Sequence, residues 1–230
     1  KNKKITVIFG NPPYSSGQKS ADDMYQKMKY PNLDQKIFQT YGKNSKSINQ
    51  SGLYDSYIRA FRWASDRIDK TSGVVAFITG SSWIDKTISD GLRKTLTEEF
   101  SSIYVINLRG DVRKDILSKG NSNEGENVFG QASMTGIAIT FLIKNKSLKE
   151  KGAKIKYFDI GNNLKEKDKL SKLKNLNSIE TIEKKGLFKT IFPDENNDWI
   201  NKGNKNFKNY KSIGEKKQKI RNSIFAEYTN

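Results

Sequence analysis

The sequence predicts an α/β fold: an open, mostly parallel sheet with helices packed on its faces. Three observations predict it. Four short apolar runs rich in β-branched residues, at 5–10, 74–79, 103–108 and 136–143, have the length and composition of buried strands. Segments with apolar residues at helical spacing separate the first three of these runs, the alternation expected of parallel strands joined by crossover helices. Between the last two, residues 109–135 carry no helical pattern, so those strands can pair antiparallel as a long hairpin.

Taken in order, Ile5-Thr6-Val7-Ile8-Phe9-Gly10 is the first strand, and Pro12 and Pro13 forbid it from continuing, so the chain bends at its carboxyl end. Residues 15–50 are polar, rich in Ser, Lys, Gln and Asn, with little periodicity, and read as a long, partly mobile loop. A helix follows from Ser51. Tyr54, Tyr57, Ile58, Phe61, Ala64 and Ile68 share one face, Asp55 suits the first turn, and Arg59, Arg62, Asp66 and Arg67 face elsewhere. After Ser72-Gly73 the second strand runs from Val74 to Thr79, with Gly80-Ser81-Ser82-Trp83 at its end. Ile88, Leu92 and Leu96 mark an amphipathic helix reaching Glu99, and Ile103 to Leu108 form the third strand. Residues 155–160 add a short strand, while Leu170, Leu173, Leu176, Ile179 and Ile182 suggest one or two short helices. Beyond Gly186 the pattern thins, and Ile224 to Tyr228 reads as a strand cut off at the terminus. This divides the chain into 1–185 and 186–230.

The bend Asn11-Pro12-Pro13-Tyr14 carries the chemistry. In open α/β sheets ligands bind at the carboxyl ends of strands. An asparagine side-chain oxygen and the carbonyl of Pro12, whose nitrogen has no hydrogen, present two acceptors toward one NH2 group. A planar aromatic amine is a poor nucleophile because its lone pair is delocalised. Two hydrogen bonds accepted from its protons favour a more pyramidal nitrogen, able to attack a methyl sulfonium. Tyr14 offers a flat face on which an extruded base can stack.

Longer blocks carry a family resemblance. Val7-Ile8-Phe9-Gly10-Asn11-Pro12-Pro13-Tyr14, the run from Leu53 to Arg67, and Ile103-Tyr104-Val105-Ile106-Asn107-Leu108-Arg109-Gly110 resemble the adenine-specific (N6) DNA methyltransferase domain of bacterial type ISP restriction-modification enzymes. Gly136-Ile137-Ala138-Ile139-Thr140 and Asp198-Trp199-Ile200-Asn201 extend the likeness over most of the chain. The resemblance implies the C-terminal half of a Rossmann-like, S-adenosylmethionine-dependent methyltransferase sheet with one antiparallel strand. It also implies a catalytic bend made by Asn11, Pro12, Pro13 and Tyr14, with Phe129, ahead of the pocket-forming strand, as a second base-stacking residue. Only ten residues precede Asn11 and no Gly-x-Gly loop follows any strand, so the cofactor-binding half is expected to be missing. The chain then reads as a fragment, inactive alone, whose partners are double-stranded DNA and the rest of a parent polypeptide: an upstream cofactor-binding half and a downstream target-recognition domain begun at 186–230.

Composition bounds the partner and excludes several chemistries. Lys plus Arg number 42 against 25 Asp plus Glu, a net charge of +17, which points to a polyanion. The excess is uneven: +6 over residues 1–143 and +11 over 144–230. A lysine-rich proteome explains much of the same excess. Arg109, Arg113, Lys114 and Lys119 cluster in the loop after the third strand, where they can track phosphates or simply be solvated. Cysteine and histidine are absent, so no disulfide, thiolate nucleophile, histidine base or zinc site of the usual ligands operates here. No apolar stretch approaches the roughly 20 residues of a membrane span, and no signal-peptide core follows the basic start; a cytoplasmic location is the simple reading.

Several alternatives stay open. The bend's chemistry also suits an RNA base or a protein glutamine amide, and a vestigial bend would leave only a DNA-binding module. Trp83 and Phe129, both in loops next to strands, are either stacking residues or packing residues. Pro193-Asp194 with Glu215-Lys216-Lys217 fits the loose pattern of metal-dependent nucleases, but no convincing strands bring its acids together.

Overall fold

A computed structural model of the chain describes residues 5–13, 30–68, 72–130, 133–148 and 152–200. Its centre is one six-stranded sheet. The strands are β1 (Val7–Gly10), β2 (Gly73–Gly80), β3 (Ser102–Arg109), β4 (Ile137–Lys144), β5 (Lys154–Asp159) and β6 (Lys189–Ile191), in the spatial order β1-β2-β4-β3-β5-β6. β1 and β2 pair in parallel, as do β3 and β5, while β4 lies antiparallel between β2 and β3. The expected hairpin of β3 and β4 is therefore present. A second antiparallel strand, β6, closes the far edge against β5 and was not legible in the sequence.

Alternation along the strands builds two cores. On β3, Ile103 and Val105 face one side, with Val75 and Phe77 of β2 and Ala138 and Leu142 of β4. Helices α1 (Pro31–Ile37), α2 (Ser56–Ile68) and α3 (Asp90–Glu99) cover that side. Tyr57, Ile58, Phe61, Ala64 and Ile68 form the buried stripe of α2, as their spacing predicts, and Leu92 and Leu96 do the same for α3. On the other side, Ile106, Leu108, Ile137 and Phe158 pack with α5 (Glu166–Leu176) and α6 (Ile179–Lys184) through Leu176 and Ile182.

Several expectations are corrected. Residues 31–44, read as loop, are helical: Pro31 opens α1, and a π-turn at Phe38–Gly42 extends it. Only Leu33, Ile37 and Tyr41 mark its buried side, too few apolar positions to show as a period. The segment then seats on α3, where a side chain at Gly91 would lie 2.0 Å from the carbonyl oxygen of Tyr41. Asp90 accepts from the hydroxyl of Ser45 and the amide of Lys46 there.

Arg59 and Arg62, placed off the apolar stripe of α2, are nonetheless buried. Arg59 forks onto Asp34 at 2.7 and 3.0 Å, and Arg62 bridges Asp66 and Glu99. A short helix, α4 (Val112–Leu117), interrupts the supposed helix-free loop; it is set by the side chain of Asp111 accepting from the amide of Lys114, not by an apolar stripe. β1, expected to be buried, is an edge strand. Ile8 reaches the first core, but Val7 is 60% and Phe9 81% exposed, because among the described residues nothing covers that face. No helix among them is long and apolar enough to cross a membrane.

Candidate active site

Strand direction gathers the candidate residues on one rim. β1, β2, β3 and β5 all end at the same edge of the sheet, and β4 begins there. Gly10 is level with Phe77, and Phe77 with Thr140, so the bend at Asn11-Pro12-Pro13 leaves the rim two strands from the start of β4. Asn11 and Pro13 are exposed and Pro12 is half-buried. The side-chain amide of Asn11 and the Pro12 carbonyl thus lie on a largely solvent-exposed segment just past the end of β1, with no Pro12 or Pro13 N–H to compete for an amine's protons. Tyr14 lies outside the described residues.

The long loop from Gly110 to Gly136 forms the neighbouring part of the rim, and it is internally tied. Arg109 ends β3 in the left-handed region, at φ 57°, a conformation costing about 1–2 kcal/mol for a residue with a Cβ. Several contacts hold it there: its Nε donates to Asp159 at 2.7 Å, its Nη1 to the carbonyls of Ser122 and Asn123, and its amide to Asn107 Oδ1. Burial alone would lower its pKa, but the hydrogen bond and charge of Asp159 carry it above the ordinary arginine value. At Gly110, φ 86°, a Cβ would stand 2.8 Å from the Cα of Asn127. Asn127 uses that close approach: its Nδ2 donates to the carbonyls of Gly110 at 3.0 Å and Thr135 at 2.8 Å, and its Oδ1 accepts from the amide of Phe129. Phe129 emerges from this turn 42% exposed.

Of the four basic residues expected along DNA, two are committed inward. Arg109 is tied as described, and Lys114 pairs with Asp85 at 2.8 Å; burial lowers the ammonium pKa, but the charge and hydrogen bond of Asp85, together with the charges of Glu124 and Asp111, carry it above the ordinary lysine value. Arg113 and Lys119 are exposed, the latter at φ 52°. Trp83 is fully buried, its ring edge-on to Phe61 and Trp199 at 5.4 and 5.3 Å, so it packs the first core and stacks on no ligand. Asp194 spends a carboxylate oxygen on the amides of Asn196 and Asp198, and Glu215 to Lys217 lie outside the described residues; among the described residues no cluster of three or more acidic side chains forms a metal site.

Two residues of the rim escaped the sequence reading. Asn127 carries a faint signal, an asparagine two residues ahead of an aromatic, which suits a side-chain-closed turn. Lys169 carries none, since Lys167, Lys172 and Lys174 of the same helix and Lys165 at its N-cap surround it.

Comparison with known proteins bears on the whole of this arrangement. Residues 1–113 match the model of the Eco57I restriction-modification methylases. The ATP-dependent Type ISP restriction-modification enzyme LlaBIII bound to DNA is 44% identical, with a TM-score of 0.86, over 98% of this chain. The chain belongs to the Type ISP restriction-modification methylase family. A nuclease-deletion mutant of the Type ISP enzyme LlaGI, in complex with a DNA substrate mimic, is 40% identical over 93% of the chain, with a TM-score of 0.78. The DrdV–DNA complex is 30% identical over 94%, with a TM-score of 0.76. This chain spans 15% of the LlaBIII chain and 20% of each of the other two. No curated protein matches it. The sheet is accordingly the methyltransferase-like mixed sheet that the resemblance implied.

Proposed function

We propose that this chain forms the acceptor side of a DNA adenine methyltransferase within a larger restriction-modification polypeptide. The observation that carries the reading is the largely exposed Asn11-Pro12-Pro13 segment at the carboxyl end of β1, on the same rim as exposed Phe129. The Asn11 side-chain oxygen and the Pro12 carbonyl accept the two N6 protons of an adenine turned out of the duplex. They hold the nitrogen's lone pair off the ring plane and toward the methyl group. Pro13 fixes the backbone, and Tyr14 and Phe129 bracket the purine. After transfer the nitrogen is acidic and loses its extra proton to water, so the absence of histidine is no obstacle.

S-adenosylmethionine supplies the methyl group in such a reaction. The described turns after β1, β2, β3 and β5 contain no glycine-rich loop to hold it, so the chain's own residues are assigned to the acceptor alone. Exposed Arg113 and Lys119, with the +17 net charge, serve the phosphates of double-stranded DNA, while Arg109 and Lys114 shape the loop that presents them. A target-recognising region, expected from residue 186, would begin after Ile200, because Lys189–Ile191 pair with β5 and Trp199 lies in the first core. The whole polypeptide works on DNA in the cytoplasm.

The test uses the complete polypeptide that carries this chain. Labelled methyl donor is offered with duplex DNA, RNA and protein, and the product base is identified by mass spectrometry. N6-methyladenine in DNA, lost by about 10²–10³-fold in Asn11→Ala, is the expected result. Label in protein or RNA alone overturns the substrate, and undiminished transfer by Asn11→Ala removes the asparagine from the chemistry.

A further inference from the structure

We propose that Lys169 is a positioning residue that sets Phe129 for stacking on the extruded adenine, a role that rests on the function above. Of the lysines in α5, Lys167, Lys172 and Lys174 are exposed, as is Lys165 at its N-cap, whereas Lys169 is 0% exposed. Its Nζ donates to the carbonyl of Glu124 at 3.0 Å and to that of Glu126 at 2.6 Å. These two carbonyls flank Gly125, which at φ 67° sits so close to the next segment that a Cβ would lie 2.5 Å from the Leu164 oxygen.

The neighbouring backbone is stitched at the same place. Glu126 N donates to Leu164 O at 3.0 Å, Asn163 N to Asn123 O at 3.1 Å, and Glu166 N to the Glu126 carboxylate at 2.9 Å. One residue on stands Asn127, which closes the turn that ends at Phe129. The ammonium therefore fixes the last carbonyls before the turn that aims the ring.

Burying an ammonium is costly, and burial does depress the pKa of Lys169 below the ordinary lysine value, with the Glu124 charge opposing. A methionine or leucine would seal α5 against the loop without that cost. What the apolar residue lacks is a pair of donors that pin two backbone oxygens. A side chain whose only use is to fix the register of a loop is expected where a small displacement of the ring matters, since misplacement by about 1 Å costs up to 10²-fold in an aligned reaction.

The experiment uses the complete polypeptide and two duplexes, one with 2-aminopurine in place of the target adenine for fluorescence and one with the adenine itself for turnover. Stacking on Phe129 quenches the extruded base, so Phe129→Ala brightens it. Lys169→Met is expected to brighten it in the same direction and to lower kcat about tenfold with KM for DNA little changed. The double variant should match Phe129→Ala alone, and Lys167→Met, on the exposed side, should change nothing. Should Lys169→Met not fold, Glu126→Ala, which removes only the exposed tether to Glu166, gives the smaller shift in the same direction.

Lys169→Met or Glu126→Ala that lowers methylation equally with and without Phe129, leaving the fluorescence unmoved, overturns the positioning role while the methyltransferase reading stands. If the unsubstituted protein makes no N6-methyladenine in the adenine duplex, the function itself falls and this role with it.

Discussion

Trp83 and Phe129 occupy comparable places, each in a loop at the same rim of the sheet, yet one is sealed and the other open. Trp83 follows β2 in a tight turn (Ser81–Ile84) that folds back over α2, where Phe61 and Trp199 close on its ring. Arg93, itself fully buried, anchors the turn by donating to the Trp83 and Lys86 carbonyls, and it extends to Asn197 and Asp198 on the other side. Phe129 is held as firmly, but by its backbone, through Asn127, and the ring is left half out in water. The difference separates two uses of an aromatic beside a strand. A buried ring is part of the scaffold, whereas an exposed ring on a tied backbone is presented.

Substitutions sharpen this contrast. Trp83→Ala empties a packed site and should cost about 3–5 kcal/mol of stability, read from the urea unfolding midpoint. If the midpoint held while methylation fell, Trp83 would be a ligand contact after all. Arg93→Met keeps the volume but orphans three carbonyls and one carboxylate, with an expected loss of about 3 kcal/mol. Phe129→Ala should shift stability by less than about 0.5 kcal/mol. Its effect belongs to the acceptor: base stacking is worth about 1–3 kcal/mol, so affinity for an extruded base should fall about tenfold or more. A large stability loss in Phe129→Ala would place its ring in the scaffold with Trp83.

The four main strands and helices α2 and α3 were legible in the sequence because each is specified locally, by an apolar run between turn residues or by a 3.6-residue stripe. What was not legible depends on partners remote in the chain. The burial of Arg59 and Arg62 needs Asp34 and Glu99, 25 and 37 residues away. Helix α4 stands on one capping carboxylate, and β6 is three residues that become a strand only beside β5. At the site, Asn11, Pro12 and Pro13 stand out in the sequence because the role proposed for them rests on their own atoms. Arg109 and Lys114 looked like phosphate contacts because a sequence shows charge without its counter-charge, here Asp159 and Asp85. Lys169 was hidden for the same reason in reverse, one buried lysine among exposed ones.

The smallest effect tests whether the two sides respond alike to acid. Asp34 braces α2, the helix that carries Phe61 against Trp83; burial raises its pKa, but the hydrogen bonds from Arg59 and the Tyr30 amide, with the Arg59 charge, outweigh burial and hold it below the usual value. Asp115, under the Phe129 loop, is held low chiefly by the Ser122 hydroxyl; burial opposes, and the amides of Glu124 and Gly125 and the charge of Lys169 add to the lowering. Both folded pKa values are depressed, so each contribution is complete above the unfolded carboxyl range, near about 4, and is lost as pH falls through the folded value. Asp34→Asn should therefore lower stability at pH 7 by at most about 1 kcal/mol, with the gap to the unsubstituted protein closing toward pH 2. Asp115→Asn should leave the unfolding midpoint almost unmoved yet speed hydrogen exchange at the Glu124 amide, again only above the carboxyl range. A gap in Asp34→Asn that persists undiminished at pH 2 would mean that Arg59 is braced by something other than the ionised carboxylate, because a protonated Asp34 has no charge left to lose.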